Sequence, residues 1–356
     1  MDITLLIPTM NRPELLQIEL QYYRSLAFSG RILIGDSSTK SISKQIQASL
    51  KDFSKHLDVQ YRYLPGCEPG EVLRVLGEEV KTAYVAFTAD DDFLVPVGMA
   101  RCVEFLDQHA DFVAAHGVGM IISNNEGVID FAGPYAQPAI ESLNASQRLT
   151  DHLTDYTVSL FSVHRTETWR AMFRDIPKIK DKAFASELLP CCMTSVLGKI
   201  RQLDGLYLIR QFHPKRYLLP SWFEWLTSPD WQPGYQQFNH SIAEGIARLD
   251  DIPREEAQQI VGRAFSTYLA SSISSSQPKF TDEATPAWKT NLGRIPGSRQ
   301  AWHALKRLAK PAGGRQATAQ AESLSLPALL DPASTYHQDF IPVYNSITQP
   351  VTSTVE

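Results

Sequence analysis

Continuous apolar runs alternate with stretches of helical apolar period over the first hundred residues, the pattern of a parallel sheet joined by crossover helices. Ile3 to Pro8 reads as a first strand, and Pro13 to Leu26 as a helix with proline at its start. Arg31 to Gly35 is a second strand, closed by Asp36-Ser37-Ser38-Thr39, a cluster suited to a helix N-cap. A helix over Ile42 to Phe53 leads to a third strand, Val59 to Leu64, and the Pro65 to Gly70 loop opens a helix from Glu71 to Lys81. The fourth strand, Ala83 to Ala89, is apolar along its length and delivers Asp90, Asp91 and Asp92 in succession.

Beyond it the pattern predicts a helix over Gly98 to His109 and strands at Phe112 to Gly117 and Met120 to Ile122. Asn124 to Thr150 has turn composition and reads as a long connection. A strand over Val158 to Val163, helices over Glu167 to Phe173 and Phe184 to Lys199, and an alternating strand from Tyr207 to His213 follow. Past Arg216 come an aromatic segment and a helix over Ala257 to Ser272, with linkers at Ser271 to Pro278 and Pro311 to Pro327. The expected organisation is an α/β domain over 1–215, a helical extension over 216–310 and a loosely packed tail over 311–356.

Open α/β sheets bind ligands beyond the carboxyl ends of their strands, so the three acids point at a cleft. Adjacent carboxylates repel one another, and a site that keeps them ionised holds a cation, for which hard oxygen ligands favour Mg²⁺, Mn²⁺ or Ca²⁺ over zinc. The plainer alternative is a solvated acidic turn.

Composition narrows the class. A chain of 356 residues with net charge −5 is no general nucleic-acid binder. Cys67, Cys102, Cys191 and Cys192 form no CxxC pair, which suits a reducing, cytoplasmic setting. The chain opens on a strand, not on a basic n-region, and no apolar run reaches the ~20 residues of a membrane span. A soluble or peripherally attached protein is expected.

These motifs in this order resemble the GT-A fold glycosyltransferases that use nucleotide sugars, with the pattern of glycosyltransferase family 2, over residues 2 to 215. The resemblance rests on Pro8-Thr9-Met10-Asn11-Arg12-Pro13 after strand one, Asp36 after strand two, and Asp91-Asp92 with Pro96 after strand four. It implies that Pro8, Thr9, Asn11 and Arg12 pass under the nucleotide, that Asp36 contacts base or ribose, and that Asp92 binds a divalent cation, Mn²⁺ or Mg²⁺. Asp90 would bind ribose or a metal-bound water, and Asp91 would hold the loop. Inverting members use a carboxylate base at a helix start about a hundred residues later, which implies Glu187, with Asp181 as substitute; Glu in a first helical turn is also ordinary dipole compensation. A histidine returning from beyond the sheet implies His213 at the metal, Arg210 beside a phosphate or an acid, and Arg165 as a further phosphate or acceptor contact. Lys40 replaces an acid of the family pattern, and Arg74 stands in for its Arg-Asn pair. The implied partners are a nucleotide-sugar donor, a UDP-sugar above others, and a saccharide or lipid-linked glycan acceptor.

Two other functions compete. A sugar nucleotidyltransferase would need a glycine-rich phosphate loop after strand one, and Pro8 to Arg12 holds no glycine. A catalytically silent sugar-binding module would not need the three acids. Outside the core, Trp222, Trp225, Trp231 and Tyr235 could form a sugar platform or join the helices to the domain. Residues 289–315 carry seven basic and no acidic side chains, with Trp302, Leu305 and Leu308 at a spacing of three, a composition suited to an anionic membrane surface.

Overall fold

The computed structural model describes residues 1–125, 127–213, 220–276 and 325–348. The basic segment 289–315 lies outside them. Two compact units divide the chain, Met1–Leu269 with Leu324–Glu356, and Ala270–Ser323. The first of them holds every strand of the sheet.

The elements run β1 (Ile3–Thr9), α1 (Pro13–Ser25), β2 (Arg31–Asp36), α2 (Lys40–Phe53), β3 (Asp58–Tyr63), α3 (Pro69–Glu79), β4 (Tyr84–Phe87), β5 (Phe93–Leu94), α4 (Pro96–Gln108), β6 (Phe112–Asn125), β7 (Val128–Tyr135), α5 (Ala145–Thr154), β8 (Val163–Arg165) and α6 (Thr166–Phe173). A π-helical turn (Phe184–Leu188) then leads into α7 (Leu189–Leu197), β9 (Lys199–Phe212), α8 (Trp222–Leu226), α9 (Trp231–Asp250), α10 (Arg254–Ser276), α11 (Leu326–Leu330) and α12 (His337–Thr348). The helices α1, α3 and α4 each begin on a proline, where the missing N–H costs nothing.

Among the described residues the strands form one nine-stranded sheet in the order β3-β2-β1-β4-β8-β6-β9-β5, with β7 on β6. The β3-β2-β1-β4 half is parallel, and its inner strands are covered on both faces: Leu5, Leu6, Ile7, Ile32, Ile34, Val85 and Ala86 are buried. Strand order reverses between β1 and β4, the crevice where an open α/β sheet takes its ligand. The mostly parallel α/β sheet flanked by helices is the expected class.

Four regions depart from the sequence reading. Asn124 to Thr150 contains β7 and α5, the latter N-capped by Asn144, whose side chain accepts from the Gln147 amide. Ser159–Phe161 is a 3₁₀ turn, and only Val163–Arg165 pairs as a strand. The expected helix to Lys199 stops at Leu197, and β9 runs fourteen residues to Phe212 instead of starting at Tyr207. The segment 326–348, expected as loose tail, forms two helices, and α12 packs on α1 with Phe340 and Val343 fully buried. No described helix is long and apolar enough to cross a membrane.

The helices after residue 220 pack on the α/β core. Phe238, Ile242 and Ile246 of α9 are buried against it, and Gly234 permits the approach, since a Cβ there would sit 2.8 Å from the Cβ of Asp181. The Phe184 ring lies at the centre of an aromatic block with Trp225, Trp231, Tyr235, Phe238 and Phe265.

Candidate active site

The carboxyl ends of β1 and β4 are tied together by the residues that the motifs single out. Pro8 lies in β1 opposite Gly35. The Thr9 hydroxyl donates to Asp90 Oδ2 at 2.7 Å. Arg12 Nη1 donates to Asp90 Oδ1 at 3.0 Å and to Asp91 Oδ2 at 2.9 Å. Between them Asn11 adopts a left-handed backbone, φ 57°, which asparagine tolerates better than most side chains. Its N–H donates to Ser38 Oγ and its Oδ1 accepts from the Thr39 amide, clasping the ends of β1 and β2.

Asp36 is fully buried at the end of β2, accepting from the Ser38 amide at 2.8 Å and from the Tyr61 hydroxyl at 2.6 Å. It therefore shapes the floor of this loop. Arg74 forms a two-point ion pair with Glu71 on its own helix.

The third side of the acid turn comes from β9, which pairs antiparallel with β5 so that Ile209 faces Phe93 and Leu208 faces Leu94. The register sets Arg210, Gln211 and His213 beside the acids. Arg210 Nε donates to Asp92 Oδ2 at 3.0 Å, and its guanidinium rests over the Tyr135 and Phe161 rings. The Gln211 amide donates to Asp92 Oδ1 at 2.8 Å, and its side chain to the Asp91 carbonyl. His213 Nε2 lies 2.9 Å from Asp91 Oδ2.

This geometry gives the three acids contacts different from the expected ones. Asp92, expected as the direct metal ligand, is 1% exposed with both oxygens held by Arg210 and the Gln211 amide, and it latches β9 to the turn. Burial pushes its pKa up to about 6, partly offset by Arg210. Asp90 is pushed up to about 7, by burial and then by the charge of Asp91, against Arg12. Burial also acts on Asp91, but His213 and Arg12 outweigh it and hold its carboxyl below the usual range. Asp91 is thus the acid of the three whose carboxyl is held below its ordinary pKa.

A fourth carboxyl lies behind them. Glu19 of α1 is fully buried, and neither of its oxygens has a hydrogen-bond partner among the described residues. Burial, then the charges of Asp90, Asp91 and Asp92, push its pKa well above 4.5. The folded protein therefore keeps a proton that the unfolded chain releases, so stability falls as pH rises above the unfolded value. Glu19→Gln removes that dependence: its melting temperature should match wild type near pH 4 and exceed it by several degrees at pH 8. A difference that does not change with pH would contradict the assignment.

Further along the chain, Pro190 shapes the turn that carries Glu187. Proline lacks the N–H that would bond the Ser186 carbonyl, and its ring crowds that carbonyl, so the chain widens into the π-helical turn Phe184–Leu188 before α7 begins. Gly70 at the start of α3 touches this turn, and a Cβ there would lie 2.8 Å from the Ala185 carbonyl oxygen. Glu187 Oε1 accepts from the Tyr156 hydroxyl at 3.0 Å. Burial raises the Glu187 pKa, while Tyr156 and the positive charge of Arg210 restrain it. Arg210, which pairs with Asp92, thus acts electrostatically on both carboxylates.

Two expected site residues have structural work instead. Asp181 accepts from the Trp225 indole N–H at 3.0 Å and from the Phe184 amide, which caps the π-turn and leaves it no freedom as a substitute base. Arg165 donates to the carbonyls of Phe112, Leu106 and His109, where β8, α4 and β6 meet, and is spent there. Tyr156, Gln211 and Glu19 carried no motif signal; Tyr156 lies in a segment with no clear period.

Among the described residues no three Asp, Glu, His or Cys side chains converge as a ready metal cage. The donor set on offer is Asp91 Oδ2 with His213 Nε2, a hard oxygen and an imidazole, to which Mn²⁺ or Mg²⁺ could bind if other ligands came from elsewhere.

Scanned against protein-family models the chain gives no match, and a search of curated proteins gives none. Solved structures do match. TarS of S. aureus, residues 1–349 in complex with UDP-GlcNAc, is similar with a TM-score of 0.52 at 18% identity, covering 76% of this chain and 73% of that one. The TarS 1–349 structure titled without a ligand gives 0.50 at 18% identity over 82% and 79%. The longer TarS structure gives 0.50 at 16% identity, and this chain spans 44% of its length. At such identities the likeness is one of fold.

Proposed function

We propose that the chain is a glycosyltransferase that moves a sugar from a nucleoside diphosphate sugar to a saccharide or lipid-linked glycan acceptor, with inversion. The observation that carries this reading is the meeting of Arg12, Asp90, Asp91 and His213 at the switch point between β1 and β4, across from Glu187. Its fold relatives include a structure titled as a complex with UDP-GlcNAc, which makes a UDP-sugar the first donor to try.

In this account the diphosphate lies over the Thr9 to Arg12 segment, with the nucleoside toward Asp36. Asp91 and His213 would hold a divalent cation, Mn²⁺ or Mg²⁺, whose remaining ligands come from the donor's phosphates. Bound there, the cation would neutralise charge on the departing diphosphate. Glu187 takes the proton from the acceptor hydroxyl as that oxygen bonds to the anomeric carbon and the bond to the phosphate oxygen breaks. Arg210 stabilises the ionised form of Glu187 and fixes Asp92, so the base and the acid turn keep one spacing.

The test is release of nucleoside diphosphate from a panel of UDP-, GDP- and dTDP-sugars with Mn²⁺ and a mixed oligosaccharide acceptor pool. Turnover of one donor is expected. Failure of every donor, with nucleotide still bound, would leave a silent sugar-binding module.

A further inference from the structure

We infer that a cleft at the start of α9 is a second saccharide site that holds a neutral sugar of the acceptor glycan away from its reacting end. The inference rests on the transferase reading for the word acceptor, and on the cleft alone for the sugar.

The cleft has a volume of about 550 Å³ and is lined by Leu226, Ser228, Trp231, Gln232, Tyr235 and Gln236, among others. Two stripes on α9 make it. Trp231 and Tyr235 are four residues apart and their rings lie parallel, 8° between planes and 5.5 Å between centroids. Gln232 and Gln236, also four apart, form an exposed amide stripe beside them. An apolar ring face next to uncharged amides that both donate and accept matches a sugar, with its C–H face and its ring of hydroxyls. Among the described residues no charged side chain lines the cleft, which disfavours a phosphate or a uronate.

The Trp231 indole N–H is buried and has no hydrogen-bond partner among the described residues, whereas the neighbouring Trp225 indole is satisfied by Asp181. A ligand hydroxyl reaches it only if the Trp231 ring shifts, and such a shift would relieve a costly unpaired donor. The cleft is also joined to the catalytic wall: the Phe184 ring, at the head of the turn bearing Glu187, lies 6.4 Å from both the Trp231 and Tyr235 rings.

The experiment follows the indole N–H directly. In the full chain labelled with ¹⁵N-tryptophan, six indole cross-peaks are expected. Trp231→Phe identifies one of them by its loss, and should that variant fail to fold, the exposed Gln232→Ala/Gln236→Ala pair marks the same peak by its shift. Titration with maltohexaose, cellohexaose and chitohexaose should move the Trp231 peak with at least one of them, saturating in the millimolar range. The double glutamine variant should weaken that binding at least ~5-fold. If no hexasaccharide moves the peak at tens of millimolar, or if the glutamine variant binds as wild type does, the inference is overturned. UDP-GlcNAc with Mn²⁺ is titrated into the same wild-type sample. A donor response without a glycan response removes only this site, and a glycan response without a UDP-GlcNAc response upholds this site and leaves the transferase reading to the donor panel.

Discussion

Asp91→Asn should lower the rate of sugar transfer about 10³-fold or more at saturating Mn²⁺ while the protein stays folded, because metal-assisted departure of a diphosphate is worth several kcal/mol. Charge sets the expectation. Of the three acids, Asp91 alone is held below the usual carboxylate range, whereas Asp90 and Asp92 are pushed up to about 7 and about 6. Asn keeps the shape and a contact to Arg12, but it removes a carboxylate oxygen that lies against His213. Asp92→Asn should behave differently: it takes the counter-charge from Arg210, so the melting temperature falls along with activity. Transfer rates and melting curves of the two variants, side by side, separate the roles. If Asp91→Asn stays within tenfold of wild type and Asp92→Asn is inactive yet fully stable, the metal-binding role returns to Asp92.

Glu187→Gln should reduce transfer ~10²- to 10⁴-fold, the span of general-base catalysis, with donor binding unchanged. The base must be ionised to act, so activity is lost as pH falls through its pKa. Burial places that loss above the ordinary carboxylate range. Tyr156 donates a hydrogen bond that favours the ionised form, so Tyr156→Phe should move the acidic limb of the pH profile upward while leaving a working base. A limb that stays in place in Tyr156→Phe, or full activity in Glu187→Gln, would take the proton-transfer role away from this glutamate.

Sequence placed the acid cluster at a strand end better than it resolved the contacts of each acid. Pro13 marked a helix start, and continuous apolar runs marked β1, β2 and β4, because both signals are local, whereas the helices that begin at Pro69 and Pro96 were read as starting two residues later. The acids at the end of β4 were legible for the same reason. Which acid does what was not, since that depends on β9 passing beside them in a register fixed by contacts more than a hundred residues distant. Arg165 had the right composition for a phosphate contact, but its guanidinium is spent on three carbonyls that only the folded chain brings together. Pro190, inside the expected helix, was the local sign of the π-turn beneath Glu187. The long β6–β7 hairpin was missed because Asn124 to Gly133 combines turn residues with few periodic apolar positions.

The most direct test of the central claim, that the crevice between β1 and β4 is a metal-assisted nucleoside diphosphate site, is thermal unfolding against UDP, GDP, dTDP and CMP, each with Mn²⁺, Mg²⁺ or EDTA. At about 100 times its Kd a ligand stabilises the native state by ~2.7 kcal/mol, enough to shift the midpoint visibly. The account predicts a shift with one diphosphate, UDP first, that disappears in EDTA and in Asp91→Asn. Midpoints that do not move with any nucleotide under any metal would contradict it.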